Sequence, residues 1–260
     1  MSDLELLRDA AAEAGRLARA IRAQGLKITY KAENSPVTDA DLAADALLKQ
    51  RLLGARPDYG WLSEETADDP ARLEKRRLFV VDPIDGTRAF MKNKPWWTVA
   101  LAVVEDGRPI AAVIHAPTLE ETYVAELGQG ATRNGKPIRA SDADDLEDAA
   151  ILADAALLER PIWAEPWPQM RLGSRNSIAY RMSLVAGGAF DAALNLSPKW
   201  DWDVCAGDLI ATEAGARVSD HHGRAFAFNR PVPQQPSLVC AGAGLHPLIL
   251  RRCASISGPD

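Results

Sequence analysis

The sequence predicts a mixed fold: an α+β half built on an antiparallel sheet, joined to an α/β half in which strands and helices alternate. Three patterns point there. The N-terminal stretch has helical apolar spacing, and the middle of the chain carries hairpin signals between apolar runs. After about residue 145, short apolar runs alternate with helix-length segments. The expected organisation is one body over residues 1–260, with an α+β half at 1–145 and an α/β half at 146–260.

Taken in order, Leu4, Leu7, Ala11, Ala14, Ala18 and Ile21 recur at three- and four-residue steps and make one helical stripe. Ser2 and Glu5 have the form of a capping box, and Gly25 sits where a left-handed C-cap is wanted. A strand over Lys27 to Tyr30 and a polar loop, Ala32-Glu33-Asn34-Ser35-Pro36, should precede a second helix. Thr38 is its expected N-cap, and Leu42, Ala46, Leu48, Leu52 and Leu53 its expected buried side. Leu78 to Val81 reads as a buried strand that delivers Asp82 at its end. Trp96 to Val104 and Pro109 to His115 flank the turn signal Glu105-Asp106-Gly107-Arg108, Glu121 to Glu126 is a third strand, and Asn134-Gly135 marks another turn. The later elements are strands at Ala150–Ala153, Asp191–Leu196, Ala216–Ser219 and Ser237–Ala241, and helices at Ile178–Ala186, Asp203–Glu213 and Leu245–Ala254.

The chain's 260 residues can bury a full core without staples. A net charge of −6 argues against nucleic acid and anionic membrane as partners, which need basic surface. Hydrophobic residues at 47% and charged residues at 25% exclude disorder as the main state. Cys205, Cys240 and Cys253 are too scattered for a disulfide framework, which suits reduced thiols and a cytoplasmic location. No apolar run reaches transmembrane length, and the acidic start Ser2-Asp3-Leu4-Glu5 does not read as a signal peptide. His115, His221, His222 and His246 make no metal spacing with the cysteines.

The most informative segment is Val81-Asp82-Pro83-Ile84-Asp85-Gly86-Thr87. Pro83 fixes φ and keeps the chain extended before the bend, so both carboxylates can turn toward one point. Gly86 lets a ligand approach the backbone, and Thr87 adds a hydroxyl. A short helix opening there would offer free amides to a phosphate. Paired acids beside an anion need cations between them, and hard oxygen ligands select Mg²⁺ or a close relative. An acidic turn that only caps a helix is the competing interpretation of the bare motif.

Three further acidic points stand at Thr38-Asp39-Ala40-Asp41, at Trp61-Leu62-Ser63-Glu64-Glu65-Thr66 and at Trp200-Asp201-Trp202-Asp203. Each alone reads as a solvated cap. Together, in this order, they resemble the inositol monophosphatase superfamily of metal-dependent, often lithium-inhibited phosphatases. The resemblance covers nearly the whole chain and rests on Asp82 to Thr87 and on Trp202-Asp203-Val204-Cys205-Ala206-Gly207. It implies the layered α/β/α/β/α sandwich of the inositol monophosphatase and fructose-1,6-bisphosphatase type. It also implies that Glu64, Asp82, Asp85 and Asp203 hold two or three Mg²⁺ ions, with the Ile84 carbonyl as a further ligand. Asp201 is the alternative to Asp203. By the same resemblance, Asp41 would sit near the catalytic water, Thr87 would orient that water, and Glu65 would support the ligands from behind. The Gly86 and Thr87 amides would hold the phosphate.

Such a cluster suits phosphate monoesters, because cations neutralise the phosphoryl oxygens and acidify a water molecule. In family terms the wall opposite the metals is Gly173 to Ser177 and the following helix, with Ser177 and Arg181 as substrate-binding candidates. Lys199 joins them from just before Trp200-Asp201. The inositol enzymes look to carry an acid where Asn195 stands, and the 3'(2'),5'-bisphosphate nucleotidases a basic residue where Arg181 stands. Two extra cations suit a second phosphate. The alternatives are a solvated helix arginine, a surface lysine and an end-of-strand Asn195. The chain therefore looks most like a bacterial 3'(2'),5'-bisphosphate nucleotidase acting on the 3'-phosphate of 3'-phosphoadenosine 5'-phosphate. Inositol-1-phosphate and histidinol phosphate are the alternative substrates. The remoter rivals are a glycosidase, which needs only two acids, and a metal-binding regulator without turnover. Family members are often homodimers, so a second copy is an expected partner. Trp163 and Trp167 lie in a proline-spaced loop whose role the sequence leaves open, bordering the pocket being one alternative.

Overall fold

The computed structural model describes residues 1–31 and 35–256. The expected loop at Ala32, Glu33 and Asn34 lies outside the described residues. Helix α1 (Asp3–Gln24) starts with the reciprocal capping box: the Glu5 amide donates to Ser2 Oγ at 3.2 Å and the Ser2 amide to the Glu5 carboxylate at 2.7 Å. Gly25 ends it with φ 101° and ψ 130°, so the expected left-handed cap is replaced by a positive-φ extended residue. Strand β1 (Ile28–Tyr30) pairs antiparallel with β2 (Pro36–Thr38). Helix α2 (Asp39–Ala55) follows, capped by Thr38.

One expectation about α2 is overturned. Leu42 is 51% exposed and Ala46 is exposed, while Asp41 and Asp45 are buried with Ala44, Leu48 and Leu52. The helix turns two carboxylates inward because they have polar partners there, so its hydrophobic stripe understates its buried face.

The first sheet has seven strands in the order β3-β4-β5-β6-β7-β8-β9. They are β3 (Gly60–Ser63), β4 (Arg77–Asp85), β5 (Thr98–Glu105), β6 (Arg108–Ala116), β7 (Glu121–Glu126), β8 (Ala131–Arg133) and β9 (Lys136–Pro137). Only β3 pairs parallel, with β4; the other ladders are antiparallel. The β5–β6 turn has Asp106 at φ 50° and Gly107 at φ 79°, the left-handed pair that matches hairpin twist. Short helix α3 (Thr87–Met91) branches from the end of β4.

The second sheet is mixed, in the order β11-β10-β12-β16-β14. Its strands are β10 (Ala150–Leu152), β11 (Arg171–Gly173), β12 (Ala192–Asn195), β14 (Ala216–Ser219) and β16 (Leu238–Gly242). A small ladder joins β13 (Lys199–Trp200) to β15 (Gln234–Gln235). Helices α4 (Ala155–Leu158), α5 (Ile178–Ala186), α6 (Asp201–Glu213) and α7 (Leu245–Cys253) complete the chain.

Strand alternation stacks these elements into five layers. Phe79, Val81, Val99, Leu101 and Val103 pack on α1 and α2, whereas Leu78, Val80, Ala100, Ala102 and Val104 face α5 and α6. The same central cluster takes in Leu152, Ala193, Leu238 and Cys240 of the second sheet, whose far side, through Ile151, Leu194 and Val239, packs on Leu245 and Ile249 of α7. All three cysteines are buried and unpaired. No described helix is long and apolar enough to cross a membrane.

Candidate active site

In a regular strand, Asp82 and Asp85 would face opposite sides of the sheet, because they stand three positions apart. The β4–β5 register breaks between them: Asp82 lies opposite Ala100 and Asp85 opposite Thr98. Three residues on β4 thus span two on β5, and this bulge restores the parity that lets both carboxylates meet. Asp203 reaches the same point from the first turn of α6, its Oδ2 accepting from the Trp200 amide at 2.9 Å. One oxygen from each of Asp82, Asp85 and Asp203 lies within 4.8 Å of the others. Glu64, whose amide is pinned to the Val81 carbonyl at 3.2 Å, joins them on a cavity of about 180 Å³ also lined by Ser35, Gly86, Thr87 and Asn176.

The electrostatics show what this set lacks. Burial, followed by Glu64, Asp85 and Asp203, holds Asp82 well above the usual carboxylate range. Burial pushes Glu64 up to about 8, against the pull of Lys31. Asp203 is raised to about 7 by burial and Asp85. Asp85 is also raised by burial, although its hydrogen bonds oppose the shift. Four converging carboxylates with this much mutual repulsion, all offering hard oxygens, fit divalent cations of the Mg²⁺ class.

Gly86 opens α3 with φ 91° and ψ 38°. A β-carbon there would come within 3.2 Å of both the Ser177 amide and its Cβ, so the turn admits no side chain without displacing α5's start. The Thr87 hydroxyl is 3.2 Å from Asp41 Oδ1 and 3.1 Å from the Ile84 carbonyl. Its single proton serves one of them at a time. Asp41 is held by the Thr38 amide at 2.8 Å and hydroxyl at 2.5 Å, and burial raises its pKa despite these bonds.

One expected residue, Ser177, and the alternative ligand Asp201 stand elsewhere. Ser177 is wholly buried: its hydroxyl donates to Asp85 Oδ2 at 2.6 Å and accepts from the Tyr180 amide at 2.8 Å, so it faces the acid cluster from inside the fold and not the cavity. The Ala179 amide also donates to Asp85 at 2.6 Å, which makes Asp85 a cap for α5. Asp201 accepts from Gln235 at 2.8 Å and is outside the cluster. Arg181 donates from Nε to the Arg175 carbonyl at 2.6 Å, and Lys199 from Nζ to Ser197 Oγ at 2.9 Å. Burial lowers both pKa values, while Asp85 and Asp203 act against the fall at Lys199. Asn195 accepts from the Ser197 amide at 2.9 Å, as an end-of-strand residue does.

Sequence reasoning missed Lys31. Its ammonium bonds Glu65 at 2.8 Å and Glu64 at 3.2 Å, and these acids keep its pKa up although burial works against it. Burial also raises Glu65, against the bonds from Lys31. Also missed was Asp45, which accepts from Ser63 Oγ at 2.5 Å and Thr66 Oγ1 at 2.6 Å and so fixes the strand end that carries Glu64. The signal was present: Asp41 and Asp45 are spaced i, i+4 on one helix face. Trp163 and Trp167 pack edge to face at 5.0 Å on a separate cavity.

The inositol monophosphatase family model matches residues 2–257. The chain belongs to that family. Like it, the chain is a phosphatase, a metal-dependent phosphomonoesterase of small phosphorylated substrates. It is 33% identical to a histidinol-phosphatase of Chlorobaculum parvum over 85% of this chain and 87% of that one. It is 32% identical to the 3'(2'),5'-bisphosphate nucleotidase CysQ of Escherichia coli O157:H7 over 79% of this chain and 85% of that one. Among solved structures, an IMPase of Thermotoga maritima superposes with TM-score 0.84 at 27% identity, covering 98% of this chain and 97% of that one. The fold is the inositol monophosphatase fold. Relatives named for three different activities, histidinol-phosphatase, bisphosphate nucleotidase and inositol-1-monophosphatase, thus share the frame at 32–33% identity.

Proposed function

We propose that this phosphatase removes the 3'-phosphate of 3'-phosphoadenosine 5'-phosphate, using two or three Mg²⁺ ions in one catalytic body made of the halves 1–145 and 146–260. The observation that carries the choice is the basic pair beside the acids. Arg181 and Lys199 are both partly withdrawn from water within electrostatic reach of Asp85. A half-buried cation pair beside the acid cluster is suited to an anion that bound metal ions do not neutralise. A second phosphate is such an anion.

In this reading Glu64, Asp82, Asp85 and Asp203 hold the cations through carboxylates, with the Ile84 carbonyl beside them. Bound there, the cations supply positive charge to the phosphoryl oxygens and lower the pKa of a coordinated water. The Gly86 and Thr87 amides at the start of α3 receive the phosphate. The Thr87 hydroxyl, shared between Asp41 and Ile84, aligns the attacking water and passes its proton toward Asp41. Glu65 holds Lys31 and keeps Glu64 in place. Ser177 positions Asp85 and does not touch substrate, while Arg181 and Lys199 take the remote phosphate. No phosphorylated side chain is required.

The test is kcat/KM for 3'-phosphoadenosine 5'-phosphate, inositol-1-phosphate and histidinol phosphate on the purified enzyme with saturating Mg²⁺. The nucleotide is expected to lead, and Arg181→Ala should raise its KM about tenfold or more while leaving the two monophosphates nearly unchanged. A nucleotide that is the poorest of the three contradicts the choice.

A further inference from the structure

Trp163 and Trp167 take no part in the chemistry at the acid cluster. They sit in the loop between α4 and β11 and, with Leu158 and Met170, wall a cavity of about 450 Å³. Their rings are held in place within the protein itself. Trp163 Nε1 donates to the Leu157 carbonyl at 3.1 Å, the two rings meet edge to face at 5.0 Å, and the Arg252 guanidinium lies 5.4 Å from the Trp167 ring centroid. Both indoles are half-buried, packed against the cluster that holds Leu245 and Ile249 of α7. Trp167 Nε1 is a buried donor with no partner among the described residues.

This aromatic cavity adjoins the wall assigned to the remote phosphate. Ala155 and Leu172 line it and also line a second cavity, of about 500 Å³, that Ser174 and Arg181 share. The second cavity stands at the carboxyl ends of the parallel strands β10 and β11, the edge where α/β sheets commonly take ligands. Arg181 commits its Nε to the Arg175 carbonyl, and its terminal nitrogens have no partner among the described residues. Resting on the reading of the substrate as a bisphosphorylated nucleoside, we infer that the aromatic cavity receives the base. With the scissile phosphate at the acid cluster and the other at Arg181, the base passes Ala155 and Leu172 and lies against Trp167. A nucleobase has π faces for stacking and ring nitrogens that accept hydrogen bonds, which suit the indoles and the unpartnered Trp167 donor. An inositol ring offers no such face. Rings already fixed by their neighbours lose little freedom when a base stacks on them.

The test compares kcat/KM for 3'-phosphoadenosine 5'-phosphate and for ribose 3,5-bisphosphate, which carries both phosphates and no base, on the full chain with saturating Mg²⁺. The nucleotide is expected to exceed the base-free sugar about tenfold or more, as the stacking of one base on an aromatic ring does. Trp167→Ala should remove most of that advantage by raising KM for the nucleotide while its kcat holds. Leu158→Ala, a milder cut in the same wall, should remove about threefold of it. The base-free sugar should change less than about twofold in either variant, a split that general loosening of the fold would not produce. Inhibition of the parent by adenosine 5'-monophosphate, expected about tenfold stronger than by ribose 5-phosphate, decides the matter even if Trp167→Ala fails to fold. Equal kcat/KM for nucleotide and base-free sugar, equal inhibition by the two monophosphates, or folded variants that keep the parent's ratio would each overturn the base site while leaving the substrate reading intact. Failure of that reading looks different: in the parent the nucleotide falls below inositol-1-phosphate and histidinol phosphate, and the base site goes with it.

Discussion

At Asp82 a carboxylate is 1% exposed and faces three more acids, so without cations this set works against the fold. Asp82→Asn keeps the acceptor for the Ile84 amide, 3.0 Å away, and removes one charge. The metal-free variant should therefore melt no lower than the metal-free parent, while turnover in saturating Mg²⁺ falls on the order of a thousandfold or more. A melting scan beside a phosphate-release assay reads both. Gly86 makes the opposite case: Gly86→Ala should destabilise the protein by about 1–3 kcal/mol, through its left-handed backbone and the Ser177 contact, and depress activity with it. Chemical denaturation checks the first and phosphate release the second. The fold brings Glu64, Asp82, Asp85, Gly86, Thr87 and Asp203 to one cavity; of these, Asp82, Asp85, Gly86 and Thr87 were legible in the sequence as one short motif, and Glu64 and Asp203 were legible only through the family resemblance. Lys31 and the inward role of Ser177 were not, since their partners lie 33 and 92 residues away and only the folded chain brings them together.

Elements join the site to the scaffold. Asp85 ends β4, yet it accepts from Ser177 and Ala179 at the start of α5, so one side chain is both a candidate metal ligand and a helix cap. Asp85→Ala should lower the stability of the metal-free protein by about 1–2 kcal/mol, whereas Asp82→Ala should not, because only Asp85 satisfies a helix terminus. Urea unfolding of the two variants in chelator separates them, and equal losses would remove the capping role. Hairpins were readable from Asp106-Gly107 and Asn134-Gly135, whose residues do take positive φ. Strand β3 was not, because four wholly buried residues show no alternation to recognise. The exposed side of α2 was misassigned for a related reason: its buried face holds Asp41 and Asp45, and hydrophobic pattern cannot see a buried acid that has found partners.

Over the whole molecule, the acid cluster draws on both halves of the chain, with Asp203 contributed by α6 and the other acids by residues before 86. Cations held there would link the two halves as well as serve the chemistry. The same cluster sets the pH response. Folded-state pKa values raised above the unfolded ones, to about 8 for Glu64 and about 7 for Asp203, mean that the metal-free fold holds more protons than the unfolded chain between pH about 4 and 8. Metal-free stability should accordingly decline as pH rises through that window. The upward shift of melting temperature on adding Mg²⁺ should be larger at pH 8 than at pH 6, because cations must displace those protons. A flat or rising metal-free profile would show that the acids are not coupled as described. The most direct measurement is anomalous diffraction from crystals soaked in Mn²⁺. Metal peaks within about 2.5 Å of carboxylate oxygens of Asp82, Asp85 and Asp203 are the expected result, and peaks absent from that cavity, with the three side chains pointing apart, would contradict it.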